Sequence, residues 1–431
     1  MKSSRFLTLI LAALLCASPV VALKPQLKYV VIITRHGVRT PTWSSERLNK
    51  YSAQPWPEWN VRPGNLTPHG RDLMKLIGAY YREWLSSELL LSPRGCADAS
   101  RIHIHADTDQ RTLETGRALA EGMAPDCTVA VHTAPAGSTD PLFEPTAAGI
   151  AGPDQEMAVK AVRERLGDLQ SQFQDLHQTA FETLEFVLAG KGGMPEKLIE
   201  PPGEIKAFVT EKGVELNEPW GVASTLSENL LLEYADGMRG KDLGWGRLDA
   251  GSLLRVLELH AVSADLMRRT LYLARARGSN LLAHVLRSME QAATGKAAIG
   301  ALDPPGSTVL ILVGHDTNLS NLSGMLGLSW HLPGYPPDDT PPGGALIFSL
   351  WQQPETGGYS VRMQYLAQTL VQMRNAAPLT LATPPASADL SIPGCESALG
   401  KRGCSWETFS NTLREAIDNR FVSLQTMGVD Q

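Results

Sequence analysis

An excess of positive charge, long apolar runs and internal repeats are all missing from this chain of 431 residues. Lys and Arg number 39 against 45 Asp and Glu, and the resulting charge of −6 excludes a generally basic surface for nucleic acid or anionic membrane. Beyond the N-terminus no segment reaches the roughly 18 consecutive apolar residues of a membrane span. Charged residues are also few, at 19%, while 9 Trp, 9 Tyr and 9 Phe are present, which excludes a disordered chain. What is there is 43% hydrophobic residues on a length sufficient for two or three structural units. The expectation is a globular enzyme or binding protein.

The N-terminus reads as an export signal. Lys2 and Arg5 precede the short apolar stretch Phe6 to Ala17, and Val20-Val21-Ala22 offers a cleavage site after Ala22. Leu15 before Cys16 is too bulky for a lipoprotein site. Cleavage leaves 37 basic residues against 45 acidic ones, and four cysteines: Cys96, Cys127, Cys395 and Cys404. An even count behind an export signal favours disulfides over metal ligands. Three pairings are possible. Cys395 and Cys404 lie close in sequence around Gly400 and Gly403, an easy local closure, which pairs Cys96 with Cys127 by default. The destination is the periplasm or the exterior.

The β-branched run Lys28 to Thr34 predicts a buried strand feeding the loop Arg35-His36-Gly37. Thr67 and Pro68 start a helix that runs through Trp84. Strands are predicted at Arg101 to Ala106 and Thr128 to Thr133, with a helix at Arg111 to Met123 between them. Thr308 to Val313 is a further buried strand, with a helix from Asn318, and 345–351 and 359–365 form a late hairpin. Between Asp154 and Ala293 the pattern is almost all helical, at 155–190, 223–238 and 250–293, broken at Pro195 and Pro201 to Gly203. The Pro-rich stretches 332–342 and 378–393 are expected as ordered surface loops. This order predicts an α/β domain, 23–150 plus 294–431, with a mainly helical cap, 151–293, inserted in it behind the signal 1–22.

Two strand ends carry the chemistry: Arg35-His36-Gly37-Val38-Arg39-Thr40-Pro41 and Gly314-His315-Asp316-Thr317. In an open α/β sheet, ligands sit outside the carboxyl ends of the strands, where both fall. Two guanidinium groups beside one histidine repel one another unless an anion joins them, and their planar fork suits phosphate oxygens. The same charges depress the pKa of His36, keeping it neutral and nucleophilic in mild acid. A phosphoryl transfer through phosphohistidine fits this combination.

With these motifs the chain resembles the histidine acid phosphatases, in particular the bacterial periplasmic phytase and acid phosphatase branch. The similarity extends to Asp107-Thr108-Asp109-Gln110-Arg111-Thr112, to Gly244-Trp245-Gly246-Arg247 and to Pro341-Pro342-Gly343-Gly344. The resemblance implies a phosphoglycerate-mutase-like three-layer α/β/α core with an inserted helical domain. It implies that His36 attacks phosphorus, that Arg35, Arg39, Arg111 and His315 hold the phosphate oxygens, and that Asp316 starts protonated as general acid. Thr42 matches a substrate-contacting threonine, Asp107 a pocket acid, Glu228 a pocket glutamate on the helical domain, and Arg277 a phosphate-binding arginine. Four basic side chains stand where a metal would, so neither metal nor cofactor is implied.

The chain also departs from that branch. Trp43 replaces a phosphate-meeting lysine, Thr225 a pocket methionine and Ala345 a glutamate, and two of four disulfides have no cysteines. Trp43 would either stack on a leaving group or pack beside Trp56 and Trp59. Inositol phosphates are the leading substrate and sugar phosphates such as glucose 1-phosphate the alternative, with a monomer as the expected state and a small phosphate monoester as the partner. Three rivals remain: a metal-dependent hydrolase built on His103, His105 and Asp107, which a chelator would inhibit, a non-catalytic phosphate-binding protein, and a cytoplasmic mutase of the same superfamily, which a real export signal excludes.

Overall fold

The protein is described by a computed structural model over residues 24–167, 170–190, 204–210, 213–395 and 403–424. The expected signal 1–22, the break from Pro195 to Gly203 and Gly400 lie outside these residues. The first half of the chain runs β1 (Gln26–Arg35), α1 (Ser45–Leu48), α2 (Pro68–Ser87), β2 (Ile102–Ala106), α3 (Gln110–Met123) and β3 (Val131–His132). Then follow α4 (Gln155–Leu166), α5 (Gln170–Ala189), β4 (Ala207–Thr210), β5 (Gly213–Leu216), α6 (Trp220–Ala235), α7 (Ala250–Arg268) and α8 (Leu271–Thr294). The last part is β6 (Val309–Gly314), α9 (Asp316–Leu326), β7 (Ala345–Gln352), β8 (Tyr359–Ala367), α10 (Leu370–Arg374), β9 (Ala386–Leu390), β10 (Cys404–Ser405) and α11 (Trp406–Ala416).

β1 is apolar on both faces, and the sheet accordingly buries it at the centre, in the order β10-β8-β7-β1-β6-β2-β3 with β9 on β8. It pairs parallel with β6 and antiparallel with β7. Alternation along the strands sorts the core into two faces. Tyr29, Val31, Ile33, Leu310, Leu312 and Phe348 join Leu281, Val285, Leu319 and Leu322 of α8 and α9. Val30, Ile32, Val309, Ile311 and Ile347 join Met74, Ile77, Tyr81 and Leu119 of α2 and α3 on the other side. Helices on both faces of one sheet give the three-layer α/β/α core. α2 and α3 press together through glycine: a methyl group on Gly78 would lie 2.4 Å from the Leu119 carbonyl oxygen. The first apolar cluster continues through Leu184, Leu230 and Val256, so the middle helices share it.

Several local expectations are corrected. The strand expected at Thr128 to Thr133 shrinks to Val131–His132, because this edge meets only Ile104 and His105 of the five-residue β2. The helical stretch over 155–190 is divided into α4 and α5, with α4 capped by Gly167 at φ 51°. The helical middle also contains the hairpin β4–β5. The stretch 332–342 is largely buried: Tyr335 donates to the Gln368 carbonyl at 2.7 Å, and Asp339 and Thr340 lie under the loop after β1. The stretch 378–393 contributes β9 to the sheet. Disulfides join Cys96 to Cys127 and Cys395 to Cys404, as paired from the sequence.

Candidate active site

Three parallel strands end at one level. The register sets Arg35 opposite Gly314 and Ala106 opposite Val313, so the residues that follow β1, β6 and β2 leave the sheet together. Those residues are His36, then His315 and Asp316, then Asp107. The backbone of His36 is pinned from both sides: its N–H donates to Gly314 at 2.9 Å and its carbonyl accepts from Gly343 at 3.0 Å. The Gly343-Gly344 turn therefore serves as a brace, with Arg35 N–H also donating to Gly344. Helix α2 closes the other side of the loop. A methyl group on Gly70 would lie 2.2 Å from the Val38 carbonyl oxygen, and one on Gly37 2.7 Å from Met74. Only glycine allows this approach.

His36 Nδ1 lies 2.8 Å from the Gly37 carbonyl oxygen. A carbonyl can only accept, so Nδ1 carries the proton and Nε2 the lone pair. Burial first, then Arg35, Arg39, His315 and Arg111, holds the imidazole pKa well below its usual value. The two arginines that flank it do meet an anion, and it is protein: Glu228 of α6 pairs with Arg35 and, at 3.2 Å, with Arg39. Glu228 is buried rather than solvated on a helix face. Burial opposes its charge, but Arg39 and Arg35 overcome this and hold it ionised well below the usual range. Arg35 also donates to the Thr340 carbonyl at 2.7 Å, which fixes the guanidinium plane.

His315 Nε2 lies 2.5 Å from Asp107 Oδ2, and its Nδ1 lies 3.5 Å from Arg111 Nη2. The Asp107 carboxylate only accepts, so Nε2–H donates to it and Nδ1 is turned toward Arg111. Asp107 thus orients His315, and Arg111 is shared between His315 and Asp109, 2.5 Å away. The rings of His36 and His315 meet edge to face at 5.6 Å. Asp316 opens α9 with Oδ1 on the Thr317 N–H and Oδ2 on Arg268 Nη1 at 2.6 Å. Burial would raise its pKa, yet Arg268 and Arg35 hold it well below the carboxylate range. Here the structure differs from the expectation of a carboxyl group that starts protonated: the contact with Arg268 favours the carboxylate form of Asp316.

Arg268 was missed by the sequence reading, and the reason is local. Met267-Arg268-Arg269-Thr270 ends α7, where basic residues favour the helix dipole whatever they face. Arg269 turns away to Ser323 and the Leu328 carbonyl, while its neighbour turns to Asp316. Arg277 is bound to the Met267 carbonyl at 3.1 Å and sits within reach of the charge of Arg268 rather than on Asp316. Thr42 is exposed, flanking with Arg111 the space over Gly64. Trp43 packs against Tyr51 and carries Arg47 on its face at 3.5 Å, whereas Trp56 meets Trp245 instead.

The competing metal constellation does not converge. His103 stacks on His132 at 4.3 Å, His105 pairs with Asp140 at 2.7 Å, and Asp107 serves His315. Burial, with His132 and His105, lowers the His103 pKa to about 3. Two other groups, Asp107-Glu144-His315 and Glu228-His260-Asp316, bring ligand atoms within 4.8 Å of one another. Asp107 already holds His315, and Glu228 and Asp316 hold Arg35, Arg39 and Arg268, so an ion would have to displace a guanidinium or a histidine hydrogen bond.

A family model described as the histidine phosphatase superfamily (branch 2) matches residues 26–186 and 225–365. Phytase AppA of Escherichia coli (strain K12) is 38% identical over 408 residues, covering 91% of this chain and 93% of that one. Glucose-1-phosphatase of Providencia rettgeri is 27% identical over 400 residues, covering 91% and 92%. The structure of Hafnia alvei phytase in complex with myo-inositol hexakis sulphate is similar with a TM-score of 0.83 and 34% identity, over 93% of this chain and 99% of that one.

Proposed function

The chain belongs to branch 2 of the histidine phosphatase superfamily, and from that premise we propose that it hydrolyses phosphate monoesters through a phosphohistidine on His36. The observation that carries this reading is the state of His36: Nδ1–H fixed on a carbonyl, Nε2 bearing the lone pair, and guanidiniums around it. Its Nε2 attacks phosphorus, and the ester P–O bond breaks as the N–P bond forms. Arg35, Arg39, Arg111 and His315 hold the three non-bridging oxygens and take up their charge, and each such donor is worth roughly a hundredfold or more in rate. Asp316 gives a proton to the departing oxygen and later takes one from the water that hydrolyses the phosphohistidine. The phosphate also relieves Arg35 and Arg39, which share the one carboxylate of Glu228. The mainly helical segment 151–293 supplies Glu228, His260 and Arg268 to the cleft and acts as its cap.

Inositol phosphates are the preferred substrate class in this reading, supported by the likeness to phytases. A sugar phosphate is the second reading, favoured by Trp43 in place of a lysine and by the likeness to a glucose-1-phosphatase. Turnover of inositol hexakisphosphate beside glucose 1-phosphate and an aryl phosphate decides between them. A kcat/KM higher for the hexakisphosphate supports the first, a higher value for glucose 1-phosphate the second, and no turnover of any ester refutes the phosphatase itself. Export to the periplasm or exterior as a monomer belongs to the same proposal. Among the described residues no helix is long and apolar enough to cross a membrane.

A further inference from the structure

The residue that the phosphatase reading leaves unexplained is Arg268. A general acid needs a proton, and Asp316 cannot easily hold one while Arg268 Nη1 donates to its Oδ2 at 2.6 Å. The other groups facing Asp316 do not settle the conflict. Arg35 of β1 is committed to Glu228 of α6 and to Thr340, and His260 of α7 is held at Nδ1 by Ser224 at 3.1 Å. Arg268 differs from Arg35 and Arg39 in being reachable: its side chain is 20% exposed, against 1% and 9%. Next to it stands Arg277, tethered to the Met267 carbonyl and close enough to feel its charge. If Asp316 takes a proton, Arg268 and Arg277 become neighbouring cations without an anion between them.

We propose that Arg268 is a specificity-determining latch: it holds Asp316 until substrate binds and then moves onto a second phosphate of the substrate, freeing Asp316 to act as the acid. This rests on the phosphatase reading above and narrows its substrate class to esters carrying a further phosphate beside the one transferred. A dianionic phosphate offers a guanidinium the same fork as a carboxylate with more charge, so it competes for Arg268. Once released, Asp316 takes a proton from solvent. In the transfer step His36 Nε2 forms the bond to phosphorus, the electron pair of the breaking P–O bond stays on the ester oxygen, and that oxygen takes the Asp316 proton. A monophosphate of the same alcohol has nothing to draw Arg268 away, and its poor leaving group departs without help.

The test compares myo-inositol 1-phosphate with the vicinal myo-inositol 1,2-bisphosphate on the wild-type enzyme, reading the first phosphoryl transfer as the burst of released product in a rapid quench. The vicinal phosphate is expected to speed that step by about tenfold or more, part of the hundredfold or greater effect of a positioned acid. Arg268→Gln is expected to collapse the gap, chiefly by raising the rate on the monophosphate. Equal wild-type rates on the two esters overturn the latch, as does a gap that survives in Arg268→Gln. The wild-type comparison stands even if the variant does not fold. Failure of the wild-type protein on both esters and on p-nitrophenyl phosphate would instead refute the phosphatase reading.

Discussion

Replacing Glu228 by Gln perturbs the charge that balances Arg35 and Arg39. Arg35 and Arg39 are almost wholly buried and share this carboxylate, so Gln leaves two guanidiniums facing one another across a neutral amide. Removing one partner of a buried ion pair costs about 3–5 kcal/mol, and since the amide oxygen still accepts one hydrogen bond the lower end applies. Glu228 is depressed below its ordinary 4.5, so its contribution is complete above that pH and fades as pH falls toward its folded value. The measurement therefore belongs near neutrality: denaturant or thermal unfolding of Glu228→Gln and wild type, each with and without inorganic phosphate. Phosphate at about a hundred times its Kd returns about 2.7 kcal/mol to a protein that binds it only when folded. The variant should lose roughly 3 kcal/mol without phosphate and recover most of it with phosphate, while wild type gains less because the oxyanion competes with Glu228. Wild-type stability in the phosphate-free variant, or equal phosphate gains in both proteins, would refute the reasoning.

Asp316→Asn should slow alkyl esters that carry a second phosphate by about a hundredfold or more and aryl phosphates far less, since the latter leave without a proton; equal losses would argue against Asp316 as the acid. Asp107→Asn removes the carboxylate that orients His315, so kcat should fall by about tenfold to a hundredfold with the unfolding midpoint little changed; full activity in the variant would leave that hydrogen bond without a role. His103, buried neutral with its pKa lowered to about 3, takes a proton in the unfolded chain below its ordinary 6.5 but not in the native one. Stability should thus decline as pH falls from 6.5 toward 3, by up to roughly 1.4 kcal/mol per unit from this group, and His103→Asn should flatten the slope measured by urea unfolding. An unchanged slope would mean that His103 is not the source.

Those parts of the site that lie at strand ends were legible from residues alone. An apolar β-branched run ending in Arg35-His36-Gly37 and another ending in Gly314-His315-Asp316 announce both their secondary structure and the place where a parallel sheet delivers side chains. The disulfides followed from count and separation. Arg268 was not legible, because Arg268 and Arg269 look alike at a helix end and only the packing of α7 on α9 decides which one enters the cleft. Nor was the burial of Glu228: α6 is buried nearly all round, polar residues included, so its pattern does not point out one face, and the two arginines opposite explain the buried carboxylate. The Pro-rich stretch 332–342 reads as surface by composition, yet its carbonyls and Asp339 are needed beneath Arg35.

The account stands on His36 as the group that carries the phosphoryl. Rapid acid-free quenching of the enzyme during turnover of a radiolabelled monoester, followed by peptide mapping, reads this directly. The account predicts an acid-labile, base-stable phosphoryl group on the peptide containing His36, absent from a folded His36→Ala variant that turns nothing over. Label on another residue, or turnover by His36→Ala, would contradict it.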